Sequence, residues 1–426
     1  MNRAPIAIAC IALVVVGWSL RLLAPTEVLG VDGPEGQKPA ASAQPRLPGA
    51  RPTIDASRYP SLQAAFDAVG EEGGVVELPA GTFEINQPLI LARSDVQIRG
   101  AGTATHIRNV NADGKPALLI QHPKGRRIPT KDRLWRVMLS NFRITGNEKS
   151  GNGIEAVQIN EVFIQGVTVS NHGGDGIFLD FCYEDPRVSD CVITYNKKTG
   201  LNLAGCHDIV VSANQFEENQ NALHCFDGFN LTMTGNNLDD HLGHGVIIEK
   251  TYGSVVSGNM IEECKGTGII LNRDCYGITL SANVIAHNQG GGIDLQDAHG
   301  CAVSANTFTI NPIYALAIRP GSGRIAVTGN SFSNSFTGED TYARSTTRPA
   351  TRPDQPKETE IYGSLLLDGT SDNAITGNTF SGLQKAVELG PKPSKRIIFT
   401  GNVLTETTSD HDKLPDSLVK DNLTAR

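Results

Sequence analysis

Along most of its length the chain alternates apolar and polar positions in short runs, each closed by Asn, Gly or Asp. Ile177-Phe178-Leu179, Leu201-Asn202-Leu203, Val246-Ile247-Ile248 and Ile293-Asp294-Leu295 are examples. A period of two with this punctuation predicts β-strands too short to bury a face alone. The runs also recur. Asn214, Asn236, Asn259, Asn283, Asn306 and Asn330 follow one another at steps of 22 to 24 residues, each behind an apolar residue, a Ser or Thr, and a Gly or Ala. Asn378 and Asn402 continue the series. In a second phase, Gly176, Gly200, Ala222, Gly245, Gly268, Gly292 and Ala315 each precede an apolar-x-apolar triplet. Repeats of this length bury their faces by stacking, so each strand should lie in parallel register with its copy in the next coil, about 4.8 Å away. Inward Ile, Val and Leu then fill one continuous core. A turn Asn suits such a stack, because it tolerates left-handed geometry and its amide can donate to one neighbouring copy and accept from the other. The step from Asn330 to Asn378 equals two repeats, and residues 337–360, rich in Thr, Arg and Pro, read as one long loop inserted in a single repeat.

The entry to the repeats has its own pattern. Tyr59-Pro60-Ser61-Leu62-Gln63-Ala64-Ala65-Phe66-Asp67-Ala68 reads as an amphipathic helix, and Gly73 to Phe83 as the first strand and turn. With the Asn and Gly phases, these segments resemble the pectate-lyase-like superfamily over residues 53–404. The resemblance implies an all-β fold: a single-stranded, right-handed parallel β-helix of about eleven or more coils with an N-terminal α-helical cap. Such a cap would cover the open end of the core, whose strand edge would otherwise template aggregation. The fold alone does not fix a reaction.

Composition narrows the class further. Of 426 residues 39% are apolar and 19% charged, which excludes a highly charged disordered chain and a multi-span membrane protein. The 45 glycines suit turn-rich β structure better than a helical bundle. A net charge of −8 argues against nucleic acid as a partner held by a bulk basic field. Ile6–Leu20 is an uncharged, mostly apolar run behind Arg3, the order of a secretory signal. Arg21 interrupts it and no Ala-x-Ala site follows promptly, so residues 1–24 read as a signal peptide or an uncleaved signal anchor. Export is expected, with the protein secreted or membrane-anchored facing the periplasm or extracellular space. Cys10 follows Ala7-Ile8-Ala9, but too few apolar residues precede it for a lipoprotein signal. Residues 25–52 carry six prolines and read as a flexible tether, 53–404 as the solenoid, and 405–426 as a C-terminal tail.

Stacking turns the sequence into a map of axial neighbours. The outward position inside each Gly-led triplet gives the row Glu155, Phe178, Asn202, His224, Ile247, Ile270, Asp294 and Ala317. The next outward position gives Asp180, Ala204, Phe226, Glu249, Asn272, Gln296 and Arg319. A third row, just before each Gly, holds Asp175, Thr199, Asn221, His244 and Thr267. In the superfamily this strand and its turns usually form the sugar-binding groove, so the region from Asp175 to Arg319 is the candidate site. Removing a proton α to a uronate carboxylate, for elimination or epimerisation, needs a base and a cation or donors for the resulting charge. His224 and His244 are candidate bases. Glu249, Asp175, Asp180 and Asp294 are candidate catalytic carboxylates. Asn202, Lys250, Asn272, Arg273, Arg319, Phe178 and Phe226 are candidate substrate contacts, the cations pairing with an acidic polymer and the rings stacking on sugars. Hydrolysis would need two carboxyl groups about 5 to 9.5 Å apart. Glu249 and Asp294 lie two coils apart, roughly 10 Å.

Gly243-His244-Gly245-Val246 is similar to the Gly-His-Gly motif of polygalacturonases, and Asp175-Gly176 resembles the end of their Asn-x-Asp-Gly motif. Gln220-Asn221 stands where that family carries paired Asp, and no Arg-x-Lys follows. His241, His244, His224 and Asp240 match no standard zinc spacing and read as surface turn residues, so no metal site is assigned and a Ca²⁺ requirement stays open. Seven cysteines follow Cys10, an odd count that argues against a fully paired framework. Cys182 and Cys206 share a phase, as a disulfide or as stacked thiols, and Cys225 points inward. The expected function is modification of a polysaccharide outside the cytoplasm by lyase, epimerase or hydrolase chemistry on an acidic glycan, by a monomer. A non-catalytic glycan- or protein-binding envelope module is the alternative, and a structural spacer a third.

Overall fold

The computed structural model describes residues 47–334 and 364–425. The expectations for residues 1–24, most of 25–52 and the loop at 337–360 lie outside the described residues. Met1–Ala50 forms one unit, of which residues 47–50 hold a turn, and Arg51–Arg426 a second. The second unit is a parallel solenoid. Each coil gives one strand in turn to each of three sheets, as in Val246–Glu249 (sheet 3), Val255–Ser257 (sheet 1) and Met260–Glu262 (sheet 2), before Thr267–Asn272 returns to sheet 3. Among the described residues sheet 1 has 15 strands, sheet 2 has 14 and sheet 3 has 12. Inward side chains form a single core in which Phe308, Phe332 and Phe380 stack at 4.7 Å centroid spacing.

The asparagines form a buried ladder. The Asn283 Oδ1 accepts from the Asn259 backbone N–H (3.0 Å) and Nδ2 (2.9 Å), while its own N–H and Nδ2 donate to the Asn306 Oδ1, both at 3.0 Å. Nδ2 also donates to the Val256 carbonyl. Every polar group of the side chain is thereby satisfied, the condition for burying it. Asn330 donates directly to Asn378, so the insertion between them belongs to one coil, as the spacing predicts. The expectation of left-handed geometry falls one residue early. Gly258 (φ 68°) and Ala282 (φ 54°) turn the chain, and the Asn that follows carries the amide inward. Glycine occupies that conformation freely, whereas alanine pays about 1–2 kcal/mol.

Both ends differ in detail from the sequence reading. The helix spans Leu62–Asp67, shorter than 59–68, because the Ser61 hydroxyl caps it by accepting from the Ala64 N–H (3.1 Å). Leu62, Ala65 and Phe66 are buried against the core. The Gln63 side-chain amide pairs with both the N–H (2.8 Å) and the carbonyl (3.0 Å) of Ile90, on the terminal strand of sheet 3. A side chain thus occupies the edge that would otherwise be open. Thr53–Asp55 precedes Gly74–Glu77 as the first strand. At the other end the winding continues past residue 404: Leu418–Lys420 joins sheet 1, Leu423–Ala425 joins sheet 2, and Asn402 donates to Asn422. Residues 405–426 are therefore not simply a tail. The shorter 20-residue step and the Asp421 before Asn422 conceal this coil in the sequence.

Candidate functional site

The register of sheet 3 is the one the repeat predicts. Glu155, Phe178, Asn202, His224, Ile247, Ile270, Asp294 and Ala317 are successive partners, and Asp180, Ala204, Phe226, Glu249 and Asn272 form the adjacent row. Three polar clusters stand on this face.

The first cluster unites His224, Glu249, Arg273 and Phe226. His224 Nε2 lies 3.1 Å from Glu249 Oε2, and Arg273 Nε lies 3.2 Å from the other carboxylate oxygen. A carboxylate can only accept, so His224 Nε2 carries a proton, and in the neutral form of the ring the lone pair is on Nδ1. The Arg273 guanidinium also lies 6.0 Å from the Phe226 ring centre, and its side chain remains 63% exposed. Lys250, expected beside it, instead pairs with Asp227 at 3.2 Å. Asn272 Oδ1 accepts from the Arg273 N–H and shapes the turn on which Arg273 stands.

In the second cluster Asp294 is buried and fully engaged. It accepts from Arg319 Nε (2.6 Å), the Tyr314 hydroxyl (3.1 Å) and Gln296 Nε2 (3.1 Å). The Tyr314 hydroxyl lies 3.3 Å from Thr267 Oγ1, and the Thr267 N–H donates to His244 Nδ1 at 2.9 Å. His244 is consequently a neutral ring with its proton on Nε2, a donor rather than a base, and burial holds its pKa below the usual histidine value. Its own N–H donates to Asn221 Oδ1, so the position where polygalacturonases carry a carboxylate is here a structural amide.

The third cluster ties up the remaining carboxylates. Arg126 contacts Glu155 and donates from Nη1 to Asp180 Oδ2 at 2.8 Å. Asp175 accepts from the Thr199 N–H and from Asn202 Nδ2, both at 2.9 Å. Phe178 lies half-buried between these rows. The structure therefore brings His224, Glu249, Arg273 and Phe226 together, places His244, Asp294 and Arg319 in a second group, and gives Asp175, Asp180 and Asn202 partners of their own.

The sequence reading assigned no role to Arg126, Tyr314 or Thr267. Tyr314 holds the position before Ala315 that His244 holds before Gly245, a signal the repeat does contain. Arg126 lies in a non-periodic turn and gives none. Also missed is a row of rings on the turn leaving sheet 3: Tyr183, His207, Phe229, Tyr252, Tyr276 and His299 occupy equivalent positions in successive coils. Tyr183 and His207 stack at 4.2 Å, and Tyr252 and Tyr276 at 4.3 Å.

His241, expected on the surface, is fully buried. With His172 it occupies the turn between sheets 2 and 3, where Asn196, Asn219, Asn288 and Asn311 form a second ladder. The seven cysteines after Cys10 are buried free thiols, Cys225 among them, and Cys182 and Cys206 lie side by side. Among the described residues, the donor sets that could hold a cation lie where the chain leaves sheet 2: Glu262, Glu263 and His287, and Asp239, Asp240 and Glu263.

Comparison with known proteins fixes the family. The model described as "Right handed beta helix region" matches residues 96–251 and 188–332, more than half of the chain. The protein belongs to this right-handed β-helix family. No curated protein sequence matches the chain. Among solved structures, it is similar to the mannuronan C-5 epimerase AlgE6 A-module of Azotobacter vinelandii (17% identity, TM-score 0.56), covering 88% of this chain and 99% of that one. It is also similar to the DFA-IIIase of Arthrobacter chlorophenolicus A6 (12% identity, TM-score 0.54; 76% and 94% covered). A third similar structure is tailspike protein 3 of bacteriophage CBA120, at 12% identity and TM-score 0.53. That match covers 80% of this chain, which spans only 59% of the tailspike. At these identities the likeness is one of fold.

Proposed function

We propose that this protein modifies an acidic polysaccharide outside the cytoplasm by abstracting the proton α to a uronate carboxylate, as a lyase or epimerase. The carrying observation is the Glu249 carboxylate shared between His224 (3.1 Å) and Arg273 (3.2 Å) on the outer face of sheet 3. Glu249 fixes the tautomer, so His224 Nδ1 is the base. Arg273, largely exposed, receives the uronate carboxylate and the charge that builds on it when the C–H bond breaks. His224 takes that proton. In elimination the electron pair forms the C=C bond as the glycosidic C–O bond breaks, and the leaving oxygen takes a proton. In epimerisation a proton returns to the same carbon from the opposite face. The similarity to an epimerase fold supports this reading, as does the apolar N-terminal run for export. Hydrolysis is less well served, because Asp294 is saturated by Arg319, Tyr314 and Gln296.

The test is incubation with uronate polymers, with and without added calcium, reading unsaturated ends, new reducing ends and deuterium uptake from heavy water together. His224→Ala and Arg273→Ala are expected to lower turnover by about 10²-fold or more, the scale of general base catalysis. Turnover retained within a few-fold in His224→Ala would reject the assignment. The ring row from Tyr183 to His299 favours a second reading, a non-catalytic glycan-binding module. Binding without turnover on every polymer would select it.

A further inference from the structure

The turn from His122 to Arg133 is out of keeping with the rest of the solenoid. Twelve residues separate Gln121 of sheet 3 from Leu134 of sheet 1, where five separate Glu249 from Val255. In a chain of net charge −8 this turn holds Lys124, Arg126, Arg127, Lys131 and Arg133 against a single acid, Asp132. Three residues anchor it to the next two coils. Arg126 spans Glu155 and Asp180, the buried Ile128 donates its N–H to Gln158 Oε1 (3.1 Å), and the buried Arg133 guanidinium lies 4.1 Å from the Tyr183 ring centre. Lys124, Arg127 and Lys131 stay exposed, Lys124 with only a loose 3.8 Å approach to Asp132. On the opposite side of the same strands, the turns entering sheet 3 expose Lys149 and Lys198, with Lys197 paired to Glu148 at 2.7 Å. The carboxylates between the two basic edges are already committed: Glu155 and Asp180 to Arg126, and Asp175 to Thr199 and Asn202. Glu148 is taken up by Lys197, and although Glu184 and Asp185 are exposed on the neighbouring turn, Lys124, Arg127, Lys131, Lys149 and Lys198 leave this end of the face net positive.

We propose that this basic turn, with the facing lysines, is a subsite for the carboxylates of an acidic glycan, distinct from the His224 cluster. The proposal rests on the acidic-polysaccharide reading above. From Glu155 to His224 is three coils, about 14 Å along the axis, so a chain seated at His224 reaches the turn only if it extends several sugars beyond the reacting unit. The subsite therefore distinguishes polymer from short oligomer. Exposed charge pairs are individually weak and screened by salt, so several must act together.

The test uses the full chain carrying His224→Ala, which cannot turn substrate over, titrated at low salt with a labelled uronate polymer and with a uronate trimer. Adding Lys124→Ala, Arg127→Ala and Lys131→Ala is expected to weaken polymer binding at least tenfold, to flatten its salt dependence and to leave trimer binding as it was. Because the three side chains are exposed, the melting midpoint should not move, and its constancy separates lost contacts from lost structure. Equal polymer affinity with and without the triple substitution overturns the subsite and leaves the acidic-glycan reading intact. A parent chain that turns over no uronate and binds none, whether or not it binds anionic vesicles or RNA through the same turn, overturns both.

Discussion

His172 and His241 should make the solenoid acid-labile, and replacing them with Asn should cure it. Both rings are buried, and burial pushes both pKa values down to about 4. Both nitrogens of His172 and Nε2 of His241 lack a well-formed hydrogen bond. A group whose folded pKa is depressed below its unfolded value of about 6.5 leaves stability intact above that value. As pH falls, the unfolded chain takes up a proton that the native ring refuses, so stability drains between about pH 6.5 and pH 4 and is constant below. A fall from 6.5 to about 4 corresponds to roughly 3 kcal/mol per ring. The rings lie three coils apart, about 14 Å, so the losses should add. Asn is the appropriate replacement because Asn196 and Asn219 hold the same turn position, and the Asn219 N–H that now reaches His241 Nδ1 (3.2 Å) would find an amide oxygen. The assay is urea unfolding of the parent and of His172→Asn/His241→Asn from pH 8 to pH 4. The comparison is made at each pH because Asp239, held up to about 6 by burial and by Asp240, Glu263 and Glu217, works in the opposite direction. The advantage of the double variant should be constant above pH 7 and grow by several kcal/mol by pH 4. The same advantage at pH 5 as at pH 8 would show that the rings are not buried neutral groups.

Two substitutions test the scaffold that positions the site. Asn283→Ala removes the partner of the Asn259 N–H and Nδ2, the Val256 carbonyl and the Asn306 amide, and should cost at least about 3 kcal/mol in urea unfolding. A loss under about 1 kcal/mol would mean the ladder contributes little. Gly291→Ala places a Cβ 2.3 Å from the Tyr314 ring, so it should displace the hydroxyl from Asp294 and lower the melting midpoint; an unchanged midpoint would refute that packing.

The winding was legible because its causes are local and repeated. Asn214 to Asn402, the Gly before each triplet and the alternation within it recur at one step, and a parallel stack permits only one register for such a sequence. The outward rows of sheet 3 followed directly, with His224 and Glu249 on one face in adjacent coils. What the repeat could not convey was the choice of partners within those rows. Arg126 reaches Glu155 and Asp180 from 29 and 54 residues away, out of a turn with no period. His241 looked like a surface turn residue because sequence spacing does not say which side of a turn faces inward.

By itself, then, the sequence determined the coil, its register and the residues that share a face, since backbone hydrogen bonding and strand spacing are the same in every repeat. Only the tertiary structure decided which of those side chains are tied to one another and which remain open to a ligand. That choice depends on rotamers, on the burial of each neighbour and on turns of unequal length, none of which repeats.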